Sequence, residues 1–180
     1  MRATTMSPAK RIATAAIAAV LLGGTPGLAM AATSQAAMPS QQTENWFRYE
    51  VVPANHVVKS MEVGSNGKVV VADRERNDDH QFWSLNGAAG KQLMKNKATG
   101  TCLTAASNGS QGSVTLQTCD ENNVNQQWKT EYWSQGQHTI SLAAHPDLYL
   151  TGSDRIGGEV TVEIYHGTFA QHWSTVPPGY

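Results

Sequence analysis

From about residue 45 onward, apolar residues fall in short β-branched runs broken by turn-forming clusters, and no sustained 3.6-residue period appears. Three runs stand out: "KVVVAD" (Lys68 to Asp73), "SVTLQT" (Ser113 to Thr118) and "EVTVEI" (Glu159 to Ile164). Each follows a turn rich in Gly, Ser, Asn or Asp: "GSNGK", "SNGSQG" and "GSDRIGG". Before each turn lies another short apolar piece, "VVKSMEV", "TCLTA" and "LYLTG". Strand formers alternating with turn chemistry predict short strands and hairpins, not helices. Asn66-Gly67 and Asn108-Gly109 suit hairpin centres, because both residue types tolerate positive φ.

Each run is followed by Gln-x-Trp, at Gln81 to Trp83, Gln126 to Trp128 and Gln171 to Trp173, with both intervals equal to 45 residues. One such motif means little, but three at equal spacing mark an internal repeat. Four strands per unit make twelve. Three equivalent units in a small all-β domain suit closure on a threefold axis, which leaves no unpaired sheet edge and predicts a β-trefoil. A three-bladed propeller is the geometric rival, but blades come in fours or more. With Gln and Trp two apart on one strand, both would point to the same side. The Trp would fill the barrel core, and the Gln amide would bond turn backbone that is otherwise buried unpaired. Trp46 and Trp133 lie outside the pattern and are expected to be partly buried.

The beginning of the chain reads differently. Arg2, Lys10 and Arg11 precede the apolar run "IATAAIAAVLL" (Ile12 to Leu22), and a Gly/Pro break leads to the small-residue site Ala29-Met30-Ala31. That order predicts a secretory signal peptide over 1–31, and the run is too short for a stable membrane span. Residues 32–43 read as a flexible polar leader and 44–180 as one domain, with repeats over about 45–87, 88–132 and 133–176. Loss of the three early cations leaves ten Lys and Arg against fourteen Asp and Glu, a net charge of −4. Nothing in that balance attracts nucleic acid or an anionic membrane. Cys102 and Cys119 are the only cysteines, and in an exported chain they are expected to form a structural disulfide.

With its three Gln-x-Trp motifs and the stretch "TGTCLTAASNGSQGSVTLQTCDENNVNQQW" (Thr99 to Trp128), the chain resembles the ricin B-type lectin family over about residues 45–176. The resemblance implies a β-trefoil that binds sugars, usually galactose-type, in shallow pockets, one per repeat. It places a carboxylate just after Cys-Leu, an aromatic platform on the next strand, and an Asn-Gln before the last Trp. Such a set has physical sense, since sugar hydroxyls need fixed polar partners and the apolar ring face needs an aromatic one. In the middle repeat these positions carry Thr104, Gln117, Asn125 and Gln126, the primary candidates for carbohydrate contact. The first repeat has Glu62, Ala72 and His80-Gln81, and the third has Thr151, Glu163 and Ala170-Gln171. No repeat keeps every part.

Other constellations are weaker. The chain has no G-x-S-x-G elbow, H-E-x-x-H motif or phosphate-binding Gly loop, and the six His are scattered, so neither catalytic residues nor a metal or other cofactor is expected. "DRERNDDH" (Asp73 to His80) reads as a solvated loop, and Asn108-Gly-Ser is a glycosylation sequon. Around the third hairpin, Asp154, Glu163 and Tyr165, with His166 beside them, form a second candidate pocket. The functional expectation is a secreted, non-catalytic, lectin-like protein whose partner is extracellular glycan, bound weakly or multivalently. The alternative is a protein-interaction or cell-binding carrier subunit of a secreted toxin complex, with another secreted protein as partner. A secreted inhibitor is a third class, although no reactive loop stands out.

Overall fold

A computed structural model of the protein describes residues 44–52 and 57–180. The signal-peptide and leader expectations fall on 1–43, outside the described residues. Twelve strands form as predicted, four to a repeat. The first repeat contributes β1 (Phe47–Val51), β2 (Lys59–Val63), β3 (Val69–Ala72) and β4 (Phe82–Ala88). The second contributes β5 (Lys91–Asn96), β6 (Cys102–Ser107), β7 (Gln111–Gln117) and β8 (Gln127–Tyr132). The third contributes β9 (Gln137–Leu142), β10 (His145–Thr151), β11 (Thr161–Ile164) and β12 (Trp173–Val176). No α-helix occurs among the described residues.

Pairing explains the shape. Strands β1, β4, β5, β8, β9 and β12 each pair with the next, and β12 pairs back with β1, so six strands close a barrel without free edges. The hairpins β2–β3, β6–β7 and β10–β11 cover one end of that barrel. They also touch each other: β11 pairs with β7, and Val70 bridges to Glu159. This is a β-trefoil.

Sequence chemistry dictates the local details. The predicted hairpin glycines Gly67 and Gly109 do take positive φ, at 74° and 113°. Alternation buries one side of each strand, and Met61, Leu103 and Leu150 project from the hairpins into a core shared with Trp83, Trp128 and Trp173, all essentially inaccessible. Each indole also has a polar end to satisfy. Trp83 Nε1 donates to Met61 O at 3.0 Å, Trp128 Nε1 to Leu103 O at 3.0 Å, and Trp173 Nε1 to Leu150 O at 2.9 Å.

One expectation needs correction. Gln of each motif does not share a strand with its Trp but ends a three-residue 3-10 turn, Asp79–Gln81, Val124–Gln126 or Phe169–Gln171. Asp78 and Asn123 cap the first two turns by accepting the N–H of His80 and of Asn125. Gln still points inward because the tight turn carries the chain directly into the strand.

Candidate functional site

The three glutamines set the frame of any pocket. Each is fully buried, and each amide bridges the end of its hairpin to the 3-10 turn. Gln126 Oε1 accepts from Asp120 N at 2.8 Å, while Nε2 donates to Thr118 O and to Thr104 Oγ1, both at 3.0 Å. In the first repeat, Gln81 accepts from Glu75 N and donates to Asp73 O and Glu62 Oε2. In the third, Gln171 accepts from His166 N and donates to Ile164 O and Thr151 Oγ1. Glu62, Thr104 and Thr151 are therefore equivalent, as the alignment of repeats anticipated. Sheet register makes Ala72, Gln117 and Glu163 equivalent too, since they lie opposite Ser60, Cys102 and Tyr149.

In the middle repeat the four primary candidates do not converge on one open surface. Thr104 is only 4% exposed, and its hydroxyl both accepts from Gln126 and donates to Cys102 O at 3.2 Å. Gln126 is sealed beneath it. Gln117 and Asn125 stand at the surface. Physically, Thr104 and Gln126 satisfy each other and the backbone, which leaves the exposed pair to meet solvent. The disulfide between Cys102 and Cys119 is present, with Cα atoms 4.9 Å apart.

The first repeat opens a cleft of about 440 Å³ lined by Glu62, Ser65, Asp78, His80 and Thr99. Glu62 is held by Gln81 at 2.8 Å, and His80 Nδ1 lies 2.9 Å from Asp78 Oδ1. This cleft carries no aromatic platform beyond the His80 imidazole.

The equivalent cleft of the third repeat is larger, about 600 Å³, and its lining includes Thr151, Asp154, Glu163, His166, Thr168 and Phe169. Phe169 leaves 57% of its surface in contact with solvent. A phenyl ring on a 3-10 turn that lines one cleft with two carboxyl side chains offers what a sugar ring needs: an apolar face for its C–H groups and acceptors for its hydroxyls. Glu163 is steadied by Thr161 Oγ1, which donates to Oε1 at 2.7 Å. Buried Lys59 donates from Nζ to Asp154 O and pins the loop that carries the Asp154 carboxylate.

Of the secondary candidates, Asp154 and Glu163 line this cleft, and Tyr165 lies outside the lining. Tyr165 joins an aromatic group on the flank of the repeat. Its ring centroid is 4.9 Å from that of Tyr149 and 6.0 Å from that of Trp133, and its hydroxyl lies 3.1 Å from His172 Nε2. Trp133 stacks on His172 at 4.6 Å with an interplanar angle of 18°. Burial lowers the pKa of His172, and burial together with the neighbouring Tyr149 raises that of Tyr165. Sequence reading had overlooked Phe169 and Thr168. The available signal was their position, immediately before the third Gln-x-Trp, where the turn must come to the surface.

Among the described residues no group of three or more His, Cys, Asp or Glu is placed to hold a metal ion. No curated protein matches this chain in sequence. Solved structures share its fold at low identity. A designed threefold-symmetric protein, ThreeFoil, is 20% identical with a TM-score of 0.63, over 73% of this chain and 97% of that one. The ricin B-like lectin of Macrolepiota procera, solved in complex with lactose, is 10% identical with a TM-score of 0.62, over 75% and 96%. A mosquitocidal holotoxin is 17% identical with a TM-score of 0.64, and the match covers 77% of this chain but only 18% of the toxin. Residues 49–173 match the model of the ricin-type beta-trefoil lectin domain, from β1 through the last Gln-x-Trp. By that match, on the fold described above, the chain belongs to the ricin-type beta-trefoil lectin family.

Proposed function

We propose that this domain is exported and binds extracellular carbohydrate, without catalysis of its own, chiefly through the third-repeat cleft. The observation that carries the reading is Phe169, an exposed ring beside the carboxylates of Asp154 and Glu163. Family membership supports it, as does the lactose-bound state of the Macrolepiota lectin. The open cleft and single aromatic ring favour weak binding of one sugar, about millimolar, with useful avidity coming from several sites or several chains. The first-repeat cleft, with Glu62 in the carboxylate position, is the natural second site.

The test is titration of the 15N-labelled domain with galactose and with glucose, followed by amide shifts. Binding should perturb the segment around Phe169 and weaken in Phe169→Ala and in Asp154→Asn. Asn125→Ala reports on the middle repeat: a loss confined to that variant would move the site there and overturn the assignment.

The second reading, a carrier or cell-binding subunit, rests on a different surface. Tyr132 and Trp133 are 69% and 51% exposed at the tip of the β8–β9 hairpin, an unusual concentration of aromatic area for a free turn. Failure of every sugar to bind would favour that reading.

A further inference from the structure

A second depression adjoins the third-repeat cleft. It measures about 520 Å³ and lies between the second and third repeats, where β7 pairs with β11. Ser107, Asn108, Gln111, Ser113 and Thr161 line it, and Glu163 forms part of the wall of both depressions. Gly112 in its lining lets β7 lie close against β6, since a Cβ there would collide with the Ala106 carbonyl oxygen. The shared residue is well placed to serve two neighbours. Its Oε1 accepts from Thr161 Oγ1.

The two surfaces differ in chemistry in a way that suggests one chain laid across both. The third-repeat cleft has the aromatic ring that grips a sugar face, whereas the inter-repeat depression offers hydroxyls and amides but no aromatic side chain. Neutral hydroxyl and amide groups suit the edge of a sugar, with its alternating donors and acceptors. Neither lining contains Lys or Arg, and together they carry the carboxylates of Asp154 and Glu163. Lys59 Nζ is buried and engaged on the Asp154 carbonyl, so an anionic sugar would meet the two carboxyl groups with no Lys or Arg in either lining to offset them.

We infer that the ligand of the third-repeat cleft is a neutral oligosaccharide whose chain crosses Glu163 and continues into the depression between the second and third repeats. This rests on the carbohydrate reading above and narrows it: one terminal sugar on Phe169, following sugars along Asn108, Gln111 and Ser113, and acidic glycans excluded.

The experiment compares galactose with β-linked galactotetraose, glucose with cellotetraose, and lactose with 3′-sialyllactose, by calorimetry or NMR titration. One tetraose should bind about tenfold tighter than its own monosaccharide. The double variant Asn108→Ala/Gln111→Ala, both exposed residues, should reduce the tetraose to the affinity of the monosaccharide while keeping the wild-type melting temperature. Phe169→Ala should weaken both ligands, and sialyllactose should bind more weakly than lactose. Equal affinity of tetraose and monosaccharide, with Phe169→Ala still weakening both, overturns the extended site and leaves the single-cleft reading intact. Tighter binding of sialyllactose than of lactose overturns the neutral-ligand assignment. Monosaccharide binding indifferent to Phe169→Ala, or no binding by any probe, overturns both.

Discussion

The middle and third repeats place different chemistry at one structural position. In the middle repeat, Cys102 and Cys119 join the start of β6 to the end of its hairpin by a covalent bond. In the third repeat the same two places hold Tyr149 and Tyr165, whose rings pack at 4.9 Å and extend to Trp133 and His172. The equivalence follows from register and from the residue after each, since Asp120 and His166 both give their N–H to the motif Gln. The first repeat supplies a third solution. Ser60 is buried with no hydrogen-bond partner for its hydroxyl among the described residues, and Arg74 reaches Glu50 Oε2 at 2.6 Å while buried Arg48 holds Oε1 at 2.6 Å. Covalent and aromatic chemistry thus join the two places in the middle and third repeats, whereas in the first the second place, Arg74, is tied by an ion pair to β1 instead. A bond fixes the hairpin whatever the solvent, whereas an aromatic group holds it only while water is kept out.

The strongest way to break the comparison is to show that the frame beneath it is unequal. Trp128→Ala and Trp173→Ala should each cost about 3–5 kcal/mol, because each removes a fully buried indole bonded to a hairpin carbonyl. Trp83→Ala should match them. A thermal melt in which one variant keeps the wild-type midpoint would contradict the threefold core.

Next in size is the crosslink. Reduction, or Cys102→Ala with Cys119→Ala, should lower stability by about 3 kcal/mol through the freedom returned to the unfolded loop. Denaturant melts measure this, and intact-mass analysis of the native protein should find no free thiol. The aromatic counterpart should prove weaker. Tyr165→Phe keeps the ring but loses the contact with His172, for about 1 kcal/mol.

Between these lies the Gln clamp. Gln126→Ala and Gln171→Ala each strand one backbone N–H and one carbonyl, so about 2 kcal/mol is expected for either, read from chemical denaturation. Unequal losses would show that the crosslink carries part of the middle clamp.

The smallest effect separates the repeats by pH. Burial disfavours the charged form of His172, so its folded pKa lies below the ordinary value of about 6.5. Unfolded chains therefore take up the proton first as pH falls. Its contribution to stability is complete above about 6.5, declines as the solution is acidified through that value, and levels off below the folded pKa. Phe82 occupies the equivalent place in the first repeat. His172→Phe should thus flatten the difference in melting temperature between neutral and mildly acid solution relative to wild type.

Much of the frame was legible because it repeats. The three buried indoles, the strand pairs and the Gln contacts to turn backbone all follow from a 45-residue period and alternation of residue type. The strand assignment of Gln failed because a three-residue turn is too short to carry a period, although the Asx caps at Asp78 and Asn123 mark it. The disulfide was legible from its two cysteines, but its aromatic counterpart hid for a geometric reason. Cys102 and Cys119 are 17 apart, but Tyr149 and Tyr165 are closer in sequence because the hairpin lengths differ, so fixed spacing misaligns the partners. The pocket was the least legible part. Thr104 reads as a substitute for a sugar-binding carboxylate, yet its hydroxyl closes a bond to Gln126, and only packing shows which side of that bond faces water. Phe169 is marked only by its place two residues before the third motif Gln.

Closure of the barrel sets the order in which the protein can assemble. Arg48 in β1 finds its partner Val176 in β12 after 128 intervening steps of chain. Hairpins such as β6–β7 connect over a few residues and can form early, but the ring itself cannot shut until the last strand arrives. Late, distant pairing makes for slow folding. While a chain emerges from its N-terminal end, β1 therefore presents an open edge throughout synthesis, with buried-to-be Val51 uncovered beside it. Folding of this domain is a race between its final four-residue strand and any other strand that reaches β1 first.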